Sequence, residues 1–186
     1  IHVSGRVDPI SDIETIQTEL ALADLATVEK QHARSVKLAK SGGDKEAKRL
    51  VEVLEKCQIQ LNQALPVRAL DWSREELEVL RPMCLITAKP AMFVGNVKED
   101  GFTNNPHLER LAAFAASQGS PMVPICAAIE AEMGDMSAED RALFLADMGM
   151  EEPGLDRLIR AAFSLLGLQT YFTAGVKEVR AWTVSI

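Results

Sequence analysis

The stretch Ala91-Met-Phe-Val-Gly-Asn-Val-Lys-Glu-Asp-Gly101 decides how the fold is interpreted. Its first four residues, Ala91 to Val94, are apolar without polar alternation, which is typical of a parallel strand that is covered on both faces. The run ends at Gly95, and polar side chains follow at once. Because ligands of open α/β sheets bind outside the carboxyl ends of the strands, we expect a site at Asn96 and Glu99.

The spacing of Asn96 and Glu99 suits the recognition of a purine ring. An amide can both donate and accept hydrogen bonds, whereas a carboxylate only accepts them. Two common residues at a fixed spacing also recur by chance, so a polar turn after a strand is the alternative interpretation. Other parts of the sequence are needed to distinguish a purine site from a polar turn.

The composition indicates one sizeable domain, or a domain with an insertion. The chain has 186 residues, of which 47% are hydrophobic and 25% are charged, so a core can form. The net charge of -7 argues against nucleic-acid binding over the whole surface and leaves room for a local basic patch. The three cysteines are widely spaced, in neither a disulfide nor a zinc pattern, which favours the reducing cytoplasm. We see no membrane-spanning run and no signal peptide.

The two ends of the chain both predict strands. The first residues, Ile1-His-Val-Ser-Gly5, contain no methionine and have the pattern of a strand, as does the segment from Val179 to Ile186. We therefore expect a fragment, a processed product or the ordered part of a longer protein.

The first half of the chain predicts a helical hairpin. Ser11-Asp-Ile-Glu14 has the form of a capping box, and apolar residues follow at helical spacing as far as Leu38. Ser41-Gly-Gly-Asp44 interrupts the pattern, and a second helix extends to Leu65. Two long helices joined by a short turn lie antiparallel, as in a coiled coil. The hairpin is thus predicted as an insertion in an α/β domain.

The turn of this hairpin is basic. Between Lys30 and Arg49 there are seven cations and two anions, a net charge of +5. A solvated surface is the usual explanation of such a run; a contact with a phosphate backbone, most naturally that of RNA, is the functional one. The candidate contact residues are Arg34, Lys37, Lys40, Lys45, Lys48 and Arg49.

The second half predicts alternating strands and helices. The capping box at Ser73-Arg-Glu-Glu76 opens a short helix, and strands follow at Leu85 to Thr87 and at Ala91 to Val94. Asn105-Pro106 predicts the start of a helix that stops at Gly119, and a strand follows from Pro121 to Ile125. Ser137 caps a further helix that stops at Gly149, and Pro153 begins a last helix that stops at Gly167.

Small residues follow the strand that ends at Ile125. Cys126, Ala127 and Ala128 would let backbone N–H groups approach a ligand closely. Cys126 is a poor candidate for a nucleophile, because the three histidines of the chain all precede it and no histidine base follows.

Several runs together resemble a known family. They are Ile13-Glu-Thr-Ile16, Thr18-Glu-Leu-Ala-Leu-Ala-Asp24, Gly42-Gly-Asp-Lys-Glu-Ala-Lys48, Asn96-Val-Lys-Glu-Asp-Gly-Phe102, Cys126-Ala-Ala-Ile-Glu-Ala131, Glu152-Pro-Gly-Leu155 and Leu168-Gln-Thr-Tyr-Phe-Thr-Ala-Gly-Val-Lys-Glu-Val-Arg-Ala-Trp182. The chain resembles the YchF/Obg-like ATPases, a branch of the P-loop GTPase superfamily. The resemblance implies part of a Rossmann-like parallel sheet, residues 1–10 and 82–167, with an inserted antiparallel coiled-coil hairpin, residues 11–81, and the start of a TGS domain, residues 168–186.

The resemblance also implies a base-binding site. GTPases generally read guanine with Asn-Lys-x-Asp, and this chain has Asn96, Val97, Lys98 and Glu99 in that place. The family is similar in this and accepts ATP, often in preference to GTP, which leaves the choice of nucleotide open. The implied contacts with the base are made by Asn96, Val97, Glu99, Cys126, Ala127 and Ala128.

The phosphate-binding motifs of the family are missing from these residues. The sequence contains no Gly-x-x-x-x-Gly-Lys-Ser/Thr loop, which holds the phosphates and Mg²⁺. We expect the catalytic residues and the Mg²⁺ site upstream of Ile1, and no hydrolysis by these residues alone. The resemblance implies a ribosome-associated ATPase or GTPase that regulates translation or a stress response. The alternative is a non-catalytic module that binds RNA or the ribosome through the basic hairpin.

Overall fold

The structure, a computed structural model, describes residues 7–42 and 45–186. Its internal contacts divide the chain into two units, Ile1–Pro90 and Ala91–Ile186. The strand predicted at the first residues and the predicted cap Asp44 lie outside the described residues.

The first unit is built on a helical hairpin. Helix α1 (Pro9–Gly42) and helix α2 (Lys45–Asn62) pack along one another, followed by α3 (Arg74–Leu80). Single 3₁₀ turns lie at Val67–Ala69 and Arg81–Met83. One face of each long helix contributes to the core of this unit. The buried core residues are Ala21, Val28, Val53, Leu54, Cys57, Leu61, Val67, Leu80 and Leu85. The predicted antiparallel pair of helices is therefore present.

Helix α1 begins earlier than the sequence pattern predicts. The proposed capping box at Ser11 to Glu14 is wrong, because the helix starts at Pro9 and Ser11 lies within its first turn. The carboxylate Oδ1 of Asp8 lies 3.5 Å from the N–H of Ser11 and occupies the capping position instead. Proline is favoured in the first turn, where its missing N–H costs no hydrogen bond, so Asp8-Pro9 defines the start.

The strand predicted at Leu85 to Thr87 is also wrong, because this segment forms turns. Its N–H groups are not available to a sheet. Asp24 of α1 accepts hydrogen bonds from the N–H of Ile86 at 2.9 Å and from the N–H and hydroxyl of Thr87, both at 2.7 Å. Asp24 is only 3% exposed, and it ties this segment to the helical hairpin.

The second unit is an α/β arrangement that ends in a β-hairpin. Its elements are β1 (Phe93–Asn96), α4 (Pro106–Ser117), β2 (Met122–Ile125), α5 (Ala127–Met133), α6 (Ala138–Asp147), α7 (Gly154–Leu165), β3 (Leu168–Ala174) and β4 (Val179–Ser185). Strands β1 and β2 are parallel, with Phe93 opposite Met122 and Asn96 opposite Ile125. The parallel pairing confirms the predicted sheet in part.

Strand β1 is covered less completely than its apolar run predicts. The strand begins at Phe93 and includes Gly95 and Asn96, and Val94 is 41% exposed. Helix α4 covers the face to which Gly95 points: a Cβ atom on Gly95 would come within 2.8 Å of Leu108 Cδ1. The glycine lets the helix approach, while Val94 lies on the other face.

Most of the predicted helix ends are confirmed. Ser73 and Glu76 form the capping box of α3, and Asn105 and Ser137 cap α4 and α6 through their side chains. Three helices end at glycines with a positive φ, which side chains disfavour: Gly119 at 60°, Gly149 at 67° and Gly167 at 60°.

Strands β3 and β4 form an antiparallel hairpin, with Leu168 opposite Ser185 and Ala174 opposite Val179. This confirms the strand that the sequence predicts from Val179 onward. Within the part of the chain that the structure describes, there is no helix with the length and apolarity that crossing a lipid bilayer requires.

Candidate functional site

The loops that leave β1 and β2 are joined by a side-chain hydrogen bond. Oδ1 of Asn96, the last residue of β1, accepts from the N–H of Ala127 at 3.1 Å. The N–H of Val97 donates to the carbonyl of Ile125 at 2.8 Å and continues the parallel ladder by one step. The two segments that the sequence singles out therefore lie side by side at the carboxyl end of the strand pair.

These loops line an open groove of about 530 Å³, which lies within the usual size of a small-molecule site. Its lining residues are Asn96, Val97, Lys98, Glu99, Asp100, Cys126 and Ala128. Five of the six predicted contact residues are among them. The sixth, Ala127, is exposed beside the groove and holds Asn96.

The groove offers both hydrogen-bond donors and acceptors. Because Oδ1 of Asn96 is occupied by Ala127, the amide is left with its Nδ2 donor, which has no partner among the described residues. Ala128 lies in the first turn of α5, where N–H groups have no partner within the helix. Glu99 and Asp100 are exposed and supply carboxylates.

The side chain of Cys126 belongs to the core and not to the groove chemistry. Cys126 is 2% exposed and packs with Ile129, Met133 and Leu145. This position fixes the start of α5 against the core, so that Cys126 offers its backbone to the groove.

A second cavity of about 470 Å³ adjoins the groove through Glu99 and Asp100. The sequence analysis missed its other walls, which are formed by Phe102, Thr103, the segment Met148 to Glu152 and Arg157. The guanidinium of Arg157 donates to the carbonyl of Pro124 in β2 at 3.1 Å. The pattern of α7 predicts a helix but gives no signal that Arg157 would reach a strand.

The start of α7 is held against α5. Oε1 of Glu130 accepts from the N–H of Gly154 at 2.7 Å, and a Cβ atom at Gly154 would lie 2.9 Å from that oxygen. A larger residue at this position would displace the Glu130 carboxylate from its hydrogen bond. Nearby, hydrogen bonds from Arg160 at 2.9 and 2.6 Å lower the pKa of Glu152.

The basic residues of the helical hairpin form a separate surface in the first unit. Arg34, Lys37 and Lys40 of α1 and Lys45 and Lys48 of α2 are exposed. At 3.6 residues per turn they lie away from the buried stripe of each helix. No ion pair involves any of these five among the described residues. The sixth candidate differs: Arg49 is half-buried and paired with Glu75 of α3.

Comparison with known proteins places the chain in a family. No family model matches it. It is 55% identical over all of its 186 residues to the "Ribosome-binding ATPase YchF" of Escherichia coli O157:H7, covering 51% of that protein. It is 35% identical to "Obg-like ATPase 1" of Rattus norvegicus, with 98% of the chain and 48% of the relative covered. The solved structure of the Schizosaccharomyces pombe YchF GTPase superposes with a TM-score of 0.85 at 31% identity, over 100% of this chain and 51% of that one.

The first unit is a helical hairpin, and the second has the parallel strand pair of an α/β protein with a groove at the strand ends. The similarity along the whole chain shows that it belongs to the YchF/Obg-like ATPase family. The chain spans about half the length of the curated relatives that it matches.

Proposed function

We propose that the groove between the β1 and β2 loops holds the purine base of ATP or GTP. The protein would act as a P-loop NTPase that hydrolyses ATP to ADP and phosphate in association with the ribosome. The observation that carries the proposal is the hydrogen bond between Asn96 Oδ1 and the N–H of Ala127. It fixes a free amide donor at the mouth of a groove that is large enough for a flat heterocycle.

The free donor of Asn96 suits a feature that both purines share. N7 of adenine and of guanine is an acceptor, and Nδ2 can donate to it. Asn96 would therefore select a purine without choosing between the two. Val97, which is half-buried and lines the groove, offers an apolar contact to the face of the ring.

The choice between the two purines would fall to Glu99 and to the position of Val97. Guanine presents neighbouring donors at N1 and N2, which a carboxylate held at the right distance can accept; N1 of adenine is an acceptor. Glu99 is exposed on the groove wall and carries one methylene more than aspartate. With Val97 in place of a lysine stem, the guanine-specific arrangement is weakened, which supports ATP as the nucleotide.

The phosphates and Mg²⁺ would be held by residues that this sequence does not contain. A phosphate-binding loop is missing from it, so no residue here is assigned a catalytic role. When bound, Mg²⁺ would neutralise charge on the β- and γ-phosphates. The residues of this chain would bind and orient the base.

The test of the base site uses the full-length protein labelled with ¹⁵N at alanine. Titration with ADP is expected to shift the amide signals of Ala127 and Ala128. Ala146 in α6 should stay unchanged and serves as the internal reference. Shifts confined to other alanines would place the base elsewhere.

A second activity, binding to ribosomal RNA, is supported by the exposed cations of the helical hairpin. Arg34, Lys37, Lys40, Lys45 and Lys48 form no ion pair among the described residues, so they are available to phosphates. Arg49 would contribute less, because it is already paired with Glu75. Arg49 would contact a phosphate only after its ion pair with Glu75 breaks.

The test of this surface is the salt dependence of ribosome binding. Lys37→Glu with Lys40→Glu is expected to weaken binding and to flatten its dependence on salt, by about one unit of slope for each phosphate that the variant no longer neutralises. Arg74→Glu with Lys89→Glu changes the net charge equally on other exposed residues of the same unit and should have little effect. If both double variants weaken ribosome binding equally, the effect is one of net charge and the basic surface of the hairpin is not the contact.

A further inference from the structure

The first turn of α7 contacts both elements that carry the second loop of the groove. Oε1 of Glu130 in α5 accepts from the N–H of Gly154, the first residue of α7, at 2.7 Å. Three residues later, Nη2 of Arg157 donates to the carbonyl of Pro124 in β2 at 3.1 Å. Residues 126–128, which join β2 to α5 and line or adjoin the groove, are therefore held by α7 on both of their sides.

The bond from Arg157 uses a carbonyl that strand β1 leaves free. The N–H of Val97 donates to the carbonyl of Ile125, and successive residues of a strand present their carbonyls to opposite edges. Pro124 therefore faces the outer edge of β2, where a proline has no N–H to donate. Among the described residues no strand pairs with that edge, so the guanidinium of Arg157 supplies the hydrogen bond.

The bond to Glu130 supplies an acceptor at the start of α7. The first N–H groups of a helix have no partner within it, and Pro153, the N-cap residue, provides no side-chain cap. A carboxylate at this end is also favoured by the helix dipole. The packing is close, because a Cβ atom at Gly154 would lie 3.2 Å from Cγ2 of Ile125, the last residue of β2. The start of α7 thus packs directly on β2 and on α5.

We propose that Glu130 and Arg157 are positioning residues of the base site. Neither is among the residues that line the groove. Ala127 lies three positions after Pro124 and three before Glu130, so the two hydrogen bonds of α7 fix its N–H and, through that N–H, the amide of Asn96. Binding groups depend on such supporting hydrogen bonds for their geometry. The inference rests on the proposed base site and adds residues that act on the nucleotide without touching it.

The test compares two ligands of the full-length protein by isothermal titration: ADP, and inorganic tripolyphosphate, which has phosphates but no base. Glu130→Ala should lower the affinity for ADP by about fivefold or more, because Ala127 and Asn96 are no longer fixed. The affinity for tripolyphosphate should not change. Glu130→Gln keeps an acceptor for the N–H of Gly154 and should restore the affinity for ADP. The control is Glu132→Ala, at an exposed position of the same helix, which should change neither affinity.

Arg157→Met is an independent variant on the other side of the loop. It keeps an apolar stem but removes the donor to Pro124, so it should also lower the affinity for ADP and leave that for tripolyphosphate unchanged. Its control is Arg160→Met, because the guanidinium of Arg160 pairs with Glu152 and not with β2. This pair of variants decides the question if Glu130→Ala does not fold.

The outcomes separate this inference from the proposed function. Equal losses of ADP and tripolyphosphate affinity, or a Glu130→Gln variant as weak as Glu130→Ala, would overturn the positioning role. If both Glu130→Ala and Arg157→Met bind ADP like the wild type, while ADP shifts the wild-type amide signals of Ala127 and Ala128, the positioning role is wrong and the base site stands. If ADP shifts neither signal, the proposed base site fails and the positioning role fails with it.

Discussion

The side-chain oxygen of Asn96 accepts a hydrogen bond from the backbone of Ala127, across 31 positions of sequence. This bond joins the two loops at the carboxyl ends of β1 and β2. Because the oxygen is used within the protein, the nitrogen is the group that would recognise a base in the proposed site.

Two substitutions at Asn96 separate these roles. Asn96→Asp keeps an oxygen for Ala127 but replaces the free donor with an acceptor, so nucleotide affinity should fall about tenfold or more with little change in the melting temperature. Asn96→Ala removes both groups and should lower affinity and stability together. The measurements are isothermal titration with ADP and thermal unfolding. Unchanged affinity in Asn96→Asp would show that Nδ2 does not touch the nucleotide.

The buried carboxylate of Asp24 holds the turn segment at Ile86 and Thr87. Asp24→Ala would leave three donors without their acceptor, and we expect a decrease of roughly 3 kcal/mol or more in the free energy of unfolding. Asp24→Asn, which keeps one acceptor, should cost less. Glu29→Ala, on an exposed position of the same helix, is the control. The measurement is urea unfolding. If Asp24→Ala lowers the free energy of unfolding no more than Glu29→Ala does, the carboxylate of Asp24 does not stabilise the fold.

The acid side of the stability curve should depend on Glu76. Its hydrogen bond with Lys56, and next that with the N–H of Ser73, lower the pKa of Glu76 from 4.5 to about 2. A carboxylate with a lowered pKa stabilises the fold above its unfolded pKa, and this stabilisation disappears as the pH falls through the folded value. The contribution should therefore be complete above about pH 4.5 and vanish toward pH 2.

The comparison of wild type with Glu76→Gln across this range tests the claim. The difference in their free energies of unfolding should shrink steadily as the pH is lowered. Glu52→Gln, a change at an exposed position of α2, should show no such trend. A difference for Glu76→Gln that stays constant with pH would rule out the ion pair as its source.

The three thiols should react very differently in the folded chain. Cys84 is exposed, whereas Cys57 and Cys126 are buried. Burial, with a smaller effect of Asp24, raises the pKa of Cys57 to about 11, so this thiol is both inaccessible and protonated at neutral pH. We expect Ellman's reagent to titrate Cys84 rapidly and the other two only on unfolding. Rapid reaction that persists in Cys84→Ser would contradict the burial of the other two.

Features encoded by neighbouring residues could be predicted from the sequence. The helix caps at Ser73, Asn105 and Ser137 and the glycine stops each depend on residues within a few positions. The strand predicted at Ala91 to Val94 is present but lies two residues later, at Phe93 to Asn96. The position of the groove could also be predicted. Polar residues follow β1 and small residues follow β2, and the carboxyl ends of two parallel strands lie at the same edge of the sheet.

Features that depend on distant residues could not be predicted. Leu85 to Thr87 has the composition of a strand, but Asp24, more than sixty positions earlier, takes its N–H groups. Arg49 looks like one more cation of the basic run, yet Glu75 of α3 pairs with it. The reach of Arg157 to Pro124 likewise follows from packing that no local pattern records.

The most direct test of the base site is the ratio of ATP to GTP affinity in the full-length protein before and after Val97→Lys with Glu99→Asp. The double variant restores the covering lysine stem and the shorter carboxylate, so the ratio should move toward GTP by about tenfold or more. Lys98→Ala, a change at another lining residue of the groove, should leave the ratio where it was. If the double variant keeps the wild-type ratio, the purine base does not lie in the groove against Val97 and Glu99.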